Sequence, residues 1–465
     1  MRSNEIFNNF PSDWYSIPLG QLVKESNGII QTGPFGSQLH AEDYVLIGTP
    51  SIMPKNISVN GVIDTDIARI KASDLERLSR YQVKKGDIIY SRRGDVEKCA
   101  LISERENGWL CGTGCILIRL GNSDISPEFL HAYLSHPLVR AWIVRHAIGA
   151  TMPNLNTTIL SELPVLVPTK KIRKCIKENW TSLTKKILIN SEINQTLEQM
   201  ARALFKSWFV DFEPIKAKIA TLEAGGSQED ATLAAMTAIS GKDADALMAF
   251  EREHPEQYAE LKSTAELFPS AMQTSELGEI PKGWSSQRFS NIATLHYGKA
   301  LKKTERIEGP YPVYGSGGVT GSHNNYLIEG PSVIVGRKGS IGTLYWEDGK
   351  FHPIDTVYYV ANKDEIPLSY LYYLMETLNL PSMNTDAAVP GLNRDNIYRL
   401  EVLKPIQSIL NKFNSHISAI KNMVQKNNVS IATLMVLRDT LLPKLLSGEI
   451  TLPETEQAIG EVENV

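Results

Sequence analysis

Residues 153–168 read PNLNTTILSELPVLVP, and residues 390–405 read PGLNRDNIYRLEVLKP. Both open P-x-L-N and close L-x-V-L-x-P. A recurrence of this length points to an internal repeat, and the match extends outward in both directions. PSDWYSIPLGQL (11–22) aligns with PKGWSSQRFSNI (281–292), placing Trp14 on Trp284. KGDIIYSRRGD (85–95) aligns with GPSVIVGRKGS (330–340), placing Arg92-Arg93-Gly94 on Arg337-Lys338-Gly339. PEFLHAYL (127–134) matches LSYLYYLM (368–375), and SEINQTLEQMARALF (191–205) matches NNVSIATLMVLRDTL (427–441), with Arg202 on Arg438. The offset drifts from 270 to 236, as expected where loops change length and elements persist.

Each copy has two parts. The first carries short β-type runs (GDIIYS, CILIRL, SVIVG, TVYYV) broken by Gly, Pro and Asn, with one amphipathic helix expected at 126–146 or 366–380. The second is a long helix. In copy one Ile176, Trp180, Leu183, Ile187, Asn190, Asn194, Leu197, Ala201, Leu204 and Trp208 step by 4 and 3, a coiled-coil seam with two polar positions. Copy two repeats it more roughly through Ile409, Phe413, Ile417, Ile420, Val424, Asn427, Ile431, Leu434 and Leu441, and Pro443 is expected to bend or end that helix. An isolated seam needs a partner, and the other copy's helix is the obvious one. A pseudo-two-fold axis would make the two run antiparallel, about 40 residues spanning roughly 60 Å.

The expected architecture is therefore α+β: two β-rich heads joined by two long antiparallel coiled-coil helices, related by a pseudo-two-fold internal repeat. The boundaries read as a first head at 1–169, a first helix at 170–214 and an acidic connector with short helices at 215–280. A second head at 281–406, a second helix at 407–450 and an acidic tail at 451–465 complete the chain.

The bulk numbers bound the function. The chain has 465 residues, 42% apolar and 22% charged, as in an ordinary soluble protein. No run of eighteen apolar residues suggests a membrane span and no secretory signal is visible, so a cytoplasmic protein without a membrane partner is expected. Cys99, Cys111, Cys115 and Cys175 form no CxxC pair, and read as small apolar fillers rather than metal ligands. Net charge is −4, unevenly placed. Residues 221–280 hold twelve acids and three bases, and 454–465 hold four acids and no base, leaving a net +9 on the remainder. A basic body with acidic appendages is compatible with a polyanion.

No catalytic constellation stands out. VIVGRKGSIG (333–342) lacks the G-x-x-x-x-G-K-[ST] spacing of a phosphate loop, because Lys338 is followed by Gly339. VYGSG (313–317) only mimics an S-adenosylmethionine loop, and GDVEK (94–98) has the wrong spacing for a nuclease metal site. No catalytic or metal residue is assigned. Two similar heads with different loops suit a bipartite ligand such as duplex DNA, whose phosphates take Lys and Arg and whose base edges take Arg, Asn and Gln. The DNA-binding candidates are Lys84, Lys85, Arg92, Arg93 and Lys98 in the first head and Lys302, Lys303, Arg337 and Lys338 in the second. The interhelical candidates are Ile176, Trp180, Leu183, Ile187, Leu197, Leu204, Ile420, Val424, Ile431 and Leu434. The competing reading is a single-chain DNA nuclease or methyltransferase with an unrecognised active site.

The ordered set of motifs resembles the specificity (S) subunits of type I restriction–modification systems. It comprises GPFGSQL (33–39), KKGDIIYSRRG, EGPSVIVGRKGSIG, GATMPNLN and AAVPGLN, ELPVLVP and RLEVLKP, RALFKSWFVDFEP, SELGEIPKGW and LRDTLLPKLLSGEI. The resemblance covers nearly the whole chain. It implies that the heads are target recognition domains, each reading half of a split DNA site, and that the chain has no activity of its own. It further implies two methyltransferase (M) subunits as partners and, through them, restriction (R) subunits. No cofactor is then expected on this chain; S-adenosylmethionine, ATP and Mg²⁺ would belong to the partner subunits.

Overall fold

The runs of β-branched and aromatic residues build sheets that are buried on both faces, and this decides how each head is layered. In the computed structural model, which describes residues 11, 13–149, 153–384, 391–447 and 449–450, the chain divides into two units. One comprises Met1–Ile193 with Lys426–Val465, the other Asn194–Gln425. The tail 451–465 and parts of GATMPNLN and AAVPGLN (150–152 and 387–390) lie outside the described residues.

In the first unit an antiparallel sheet has the order Ile29–Thr32, Cys115–Arg119, Ile88–Ser91, Cys99–Leu101. Side chains of a strand alternate between faces. Ile88 and Tyr90 therefore enter a core with Trp14, Phe129 and Leu163, while Ile89 enters another with Ile52, Val83 and Cys111. The second core is shared with a sheet ordered Leu110–Cys111, Thr49–Ile52, Ala68–Ile70, Tyr44–Val45. Cys99, Cys111 and Cys115 are buried. Tyr15–Pro18 pairs antiparallel with Pro164–Val167, joining the two ends of the head.

The second unit repeats this order. Its sheet runs Ala293–Tyr297, Val357–Asn362, Ser332–Gly336, Leu344–Glu347, with Val333 and Val335 in one core and Ile334 in the other. A second sheet runs Gly318–His323, Tyr311–Gly315, Lys350–Pro353, Ile328–Glu329, and Ser285–Arg288 pairs with Glu401–Lys404.

Two helical expectations need correction. The single helix expected at 126–146 is two, Pro127–Ser135 and Pro137–His146. Proline favours the first helical position and pushes the residue before it out of the helical region; His136 sits extended at ψ 134° and accepts a hydrogen bond from the Leu138 amide. Pro443 does not end the last helix, which runs Gln407–Ser447. Leu442, Leu445 and Leu446, around and beyond that proline, are buried in the first head's core, and their burial offsets the lost backbone bond.

The first long helix is Lys170–Phe209. Within the first unit Ile176 and Trp180 share a core with Leu442, Leu445 and Leu446, Leu183 and Ile187 pack with Leu434 and Leu441, and Asn190 donates to Ser430 at 3.2 Å. Numbers rise along one helix as they fall along the other, so the segments are antiparallel. The second unit shows the same sense: Glu198 pairs with Lys421 at 3.4 Å, while Phe205 and Trp208 lie 5.9 and 6.1 Å from Phe413. Leu197, Leu204, Ile420, Val424 and Ile431 are half-buried.

Between the long helix and the second head stand four helices, Glu213–Glu223, Gln228–Ser240, Ala244–Glu253 and Pro255–Leu267, followed by a hairpin of Met272–Ser275 with Gly278–Pro281. Lys218 is buried and donates to the Ala265 and Phe268 carbonyls at 2.8 and 2.7 Å. These belong to the end of the fourth helix, where carbonyls lack intrahelical partners and a cation is favoured.

Candidate nucleic-acid interface

Each head carries one basic turn, stitched by main-chain hydrogen bonds to its P-x-L-N segment. In the first unit the strand Ile88–Ser91 runs into Arg92-Arg93-Gly94. The Arg92 amide donates to the Gly114 carbonyl at 2.8 Å, and the Arg92 carbonyl accepts from the Leu155 amide at 2.8 Å. The Gly94 amide donates to the Pro153 carbonyl at 3.1 Å, and Arg93 bridges to Asn154. Gly94 has φ +75°, a left-handed backbone that costs a residue with a Cβ.

The second unit repeats the stitch. The amides of Arg337 and Lys338 donate to the Thr356 carbonyl at 2.9 and 3.2 Å, and the Arg337 carbonyl accepts from the Leu392 amide at 2.9 Å. Lys338 bridges to Gly391, and Gly339 has φ +81°. The Tyr358 hydroxyl donates to the Leu392 carbonyl at 2.9 Å. Burial, reinforced by neighbouring Tyr297, pushes that hydroxyl up to about 12, so it stays a neutral donor. With the amides of Arg92, Gly94, Arg337 and Lys338 committed internally, the cationic side chains are the main groups each turn offers outward.

Those side chains are guanidiniums beside exposed aromatic rings. Arg92 lies 5.8 Å from the ring centroid of Phe35, which is 51% exposed. Arg337 lies 4.8 Å from that of Tyr297, which is 48% exposed, and donates to the Asp355 carbonyl at 2.9 Å. Arg394, just after P-G-L-N, lies 5.0 Å from the same Tyr297 ring. Such stacking orients a guanidinium while leaving N–H groups for an anion. Phe35, Tyr297 and Arg394 escaped the sequence reading. Phe35 lies in GPFGSQL, just beyond the strand Ile29–Thr32, and Arg394 in PGLNRDN, beside the Leu392–Arg337 main-chain bond, so only the folded chain brings them to the turns.

The remaining candidates are dispersed. Lys98 stands at the Arg92 end of its sheet, since its carbonyl accepts from the Ser91 amide at 2.9 Å, and it pairs with Asp95 at 2.5 Å. Lys84 and Lys85 precede the strand Ile88–Ser91, so they sit at its opposite end from Arg92. There Lys85 pairs with Glu104 at 3.1 Å, and the Lys84 amide donates to buried Asp87 at 2.7 Å. Arg119 grips the same Asp87 at 2.8 and 2.6 Å, and that hydrogen bonding raises the guanidinium above its ordinary value. Lys302 and Lys303 are exposed beside a short 3₁₀ turn, Lys302 pairing with Glu305 at 3.6 Å. Among the described residues, no group of three or more His, Cys, Asp or Glu side chains is placed to hold a metal ion. No helix among them is long and apolar enough to cross a membrane.

The family model for the type I restriction modification DNA specificity domain matches residues 11–199 and 281–432. The chain is 28% identical over 473 aligned residues to the type I restriction enzyme HindI specificity subunit of Haemophilus influenzae, covering 94% of this chain and 100% of the relative. It is 22% identical over 359 residues to the MjaIX specificity subunit of Methanocaldococcus jannaschii, covering 70% of each. A solved type I restriction–modification S subunit from M. genitalium aligns at TM-score 0.49 and 15% identity, over 94% of this chain and 97% of that one.

Proposed function

Because the chain belongs to the type I restriction–modification DNA specificity family, we propose that its two heads each read one half of a split duplex site. The chain is the DNA-recognition subunit of a type I complex, and not its catalyst. The observation that carries the two-head reading is the duplicated turn: Arg92-Arg93-Gly94 and Arg337-Lys338-Gly339, each stitched to P-x-L-N and flanked by an exposed aromatic ring. Arginine matches both phosphate and guanine geometry, and one such element per head suits two separated groove faces.

On this reading two M subunits assemble on the chain and R subunits join through them, in the cytoplasm. The M subunits bring S-adenosylmethionine, and ATP and Mg²⁺ act on the partners. The spacer between half-sites follows the paired helices, each about 60 Å long at 1.5 Å per residue.

Methylome sequencing of a host expressing the chain with its M partner tests this directly. A two-part methylated motif with a fixed spacer is expected, and exchanging residues 12–168 for another member's first head should change one half only. Change in both halves, or a continuous motif, refutes head-by-head reading. The enzyme alternative predicts cleavage or methylation by the purified chain alone with DNA, Mg²⁺ and S-adenosylmethionine.

A further inference from the structure

Arg438 is a charged residue at 1% exposure in the last third of the second long helix. Burying a guanidinium is costly unless its donors are placed. Here Nη1 donates to Asn60 Oδ1 at 2.6 Å, Nε donates to Asp439 at 2.8 Å, and the plane lies 4.8 Å from the Trp180 ring centroid. Trp180 in turn donates through Nε1 to His131 Nδ1 of the first head at 3.1 Å. Asn60 forms the tip of a tight hairpin, Ile57–Ser58 against Gly61–Val62, with Gly61 at φ +127°.

The hairpin's strands are anchored through Ile57 and Val62, which are buried in the first head's second core, whereas its tip is held by polar contact. Beneath it lies a cavity of about 280 Å³, whose walls include Asn60, Val62, Leu101, Trp180 and Leu188. The polar contact to Arg438 therefore ties the hairpin's tip to the second long helix. A planar guanidinium fixes direction as well as distance, which an apolar filler of equal volume does not.

The repeat places Arg202 at the same position of the first long helix. In the second unit Arg202 grips Glu376 with both ends of its fork, at 3.0 and 2.9 Å, on the helix Leu368–Thr377 of the second head. Thus the arginine of each copy's helix reaches the head of the other copy.

We propose that Arg438 and Arg202 are positioning residues that set the direction in which each head is held on the helix pair of its unit. Resting on the DNA-recognition reading above, their role is to discriminate spacer length, not half-site sequence.

The test uses the assembled complex with its M subunits. Binding is measured to duplexes that keep both half-sites and vary the spacer, and to duplexes that keep the spacer and mutate one half-site. Arg438→Met should reduce the preference for the native spacer by about tenfold or more, the factor carried by one hydrogen bond to a charged group. Half-site discrimination should stay as in the wild type. Arg438→Lys combined with Asn60→Asp should restore much of the preference. Arg202→Gln, a change at a half-exposed side chain, carries the same test should Arg438→Met fail to assemble. Unchanged spacer preference in these variants, or parallel loss of half-site discrimination, overturns the proposal. A wild type without split-site preference would instead overturn the DNA-recognition reading.

Discussion

Replacing Arg337 with alanine separates the turn's architecture from its charge. The main chain at 337 donates to Thr356 and accepts from Leu392, and neither bond needs the side chain. What is lost is the stack on Tyr297, about 0.5–1 kcal/mol at a partly exposed site, and the bond to the Asp355 carbonyl, about 1 kcal/mol. A destabilisation of about 1–2 kcal/mol follows, so the variant folds with a melting temperature only a few degrees lower. If the guanidinium meets a DNA phosphate, binding by the assembled complex weakens by about 1 kcal/mol, roughly fivefold in Kd. The slope of log K against log salt falls by about 0.9, because one phosphate is no longer neutralised. Titrations at several salt concentrations measure both quantities. A variant that folds, binds with unchanged affinity and keeps the wild-type slope removes Arg337 from the interface.

Gly94→Ala and Gly339→Ala should each cost about 1–2 kcal/mol in chemical denaturation, because φ is +75° and +81°. At Gly94 no atom lies within 4 Å of the added Cβ, so a cost near zero would refute backbone strain there. His131 and His136 are pushed down to about 4 by burial, and therefore stay neutral in the folded state while unfolded histidines take a proton below about 6.5. Their contribution is complete above pH 6.5 and is lost as pH falls toward 4, by up to about 3 kcal/mol each. His131→Asn should flatten that part of the stability profile, and an unaltered profile would show that His131 is not its source. Lys218→Met removes the lysine donor from the Phe268 carbonyl and leaves the Ala265 carbonyl only the Phe268 amide, and should destabilise the inserted helices by about 1–3 kcal/mol in hydrogen-exchange measurements.

The strands and long helices were legible in the sequence because burial imposes a period, of two in IIYS and near 3.5 from Ile176 onward. The stitched turns were half legible. RRG and RKG stood out beside P-x-L-N as separate repeated motifs, but their union depends on main-chain bonds between segments far apart in the chain. Phe35 and Tyr297 were invisible as partners of Arg92 and Arg337, since only the folded chain makes them neighbours. Conversely, Lys84, Lys85 and Arg92 look adjacent in sequence, yet the strand Ile88–Ser91 sets them at opposite ends. Pro443 misled because a propensity acts locally, whereas the three leucines around and beyond it are held by a core contributed largely by residues before 181.

That leucine cluster bears on synthesis. The second unit is one continuous stretch, 194–425, and holds all its own residues once that stretch has left the ribosome. The first is discontinuous: Leu442, Leu445 and Leu446 close a core whose other members were translated hundreds of residues earlier. Contacts so distant in sequence form late. The head made first is thus the one finished last, and in a nascent chain stalled before residue 440 its apolar groove remains open to chaperones and proteases.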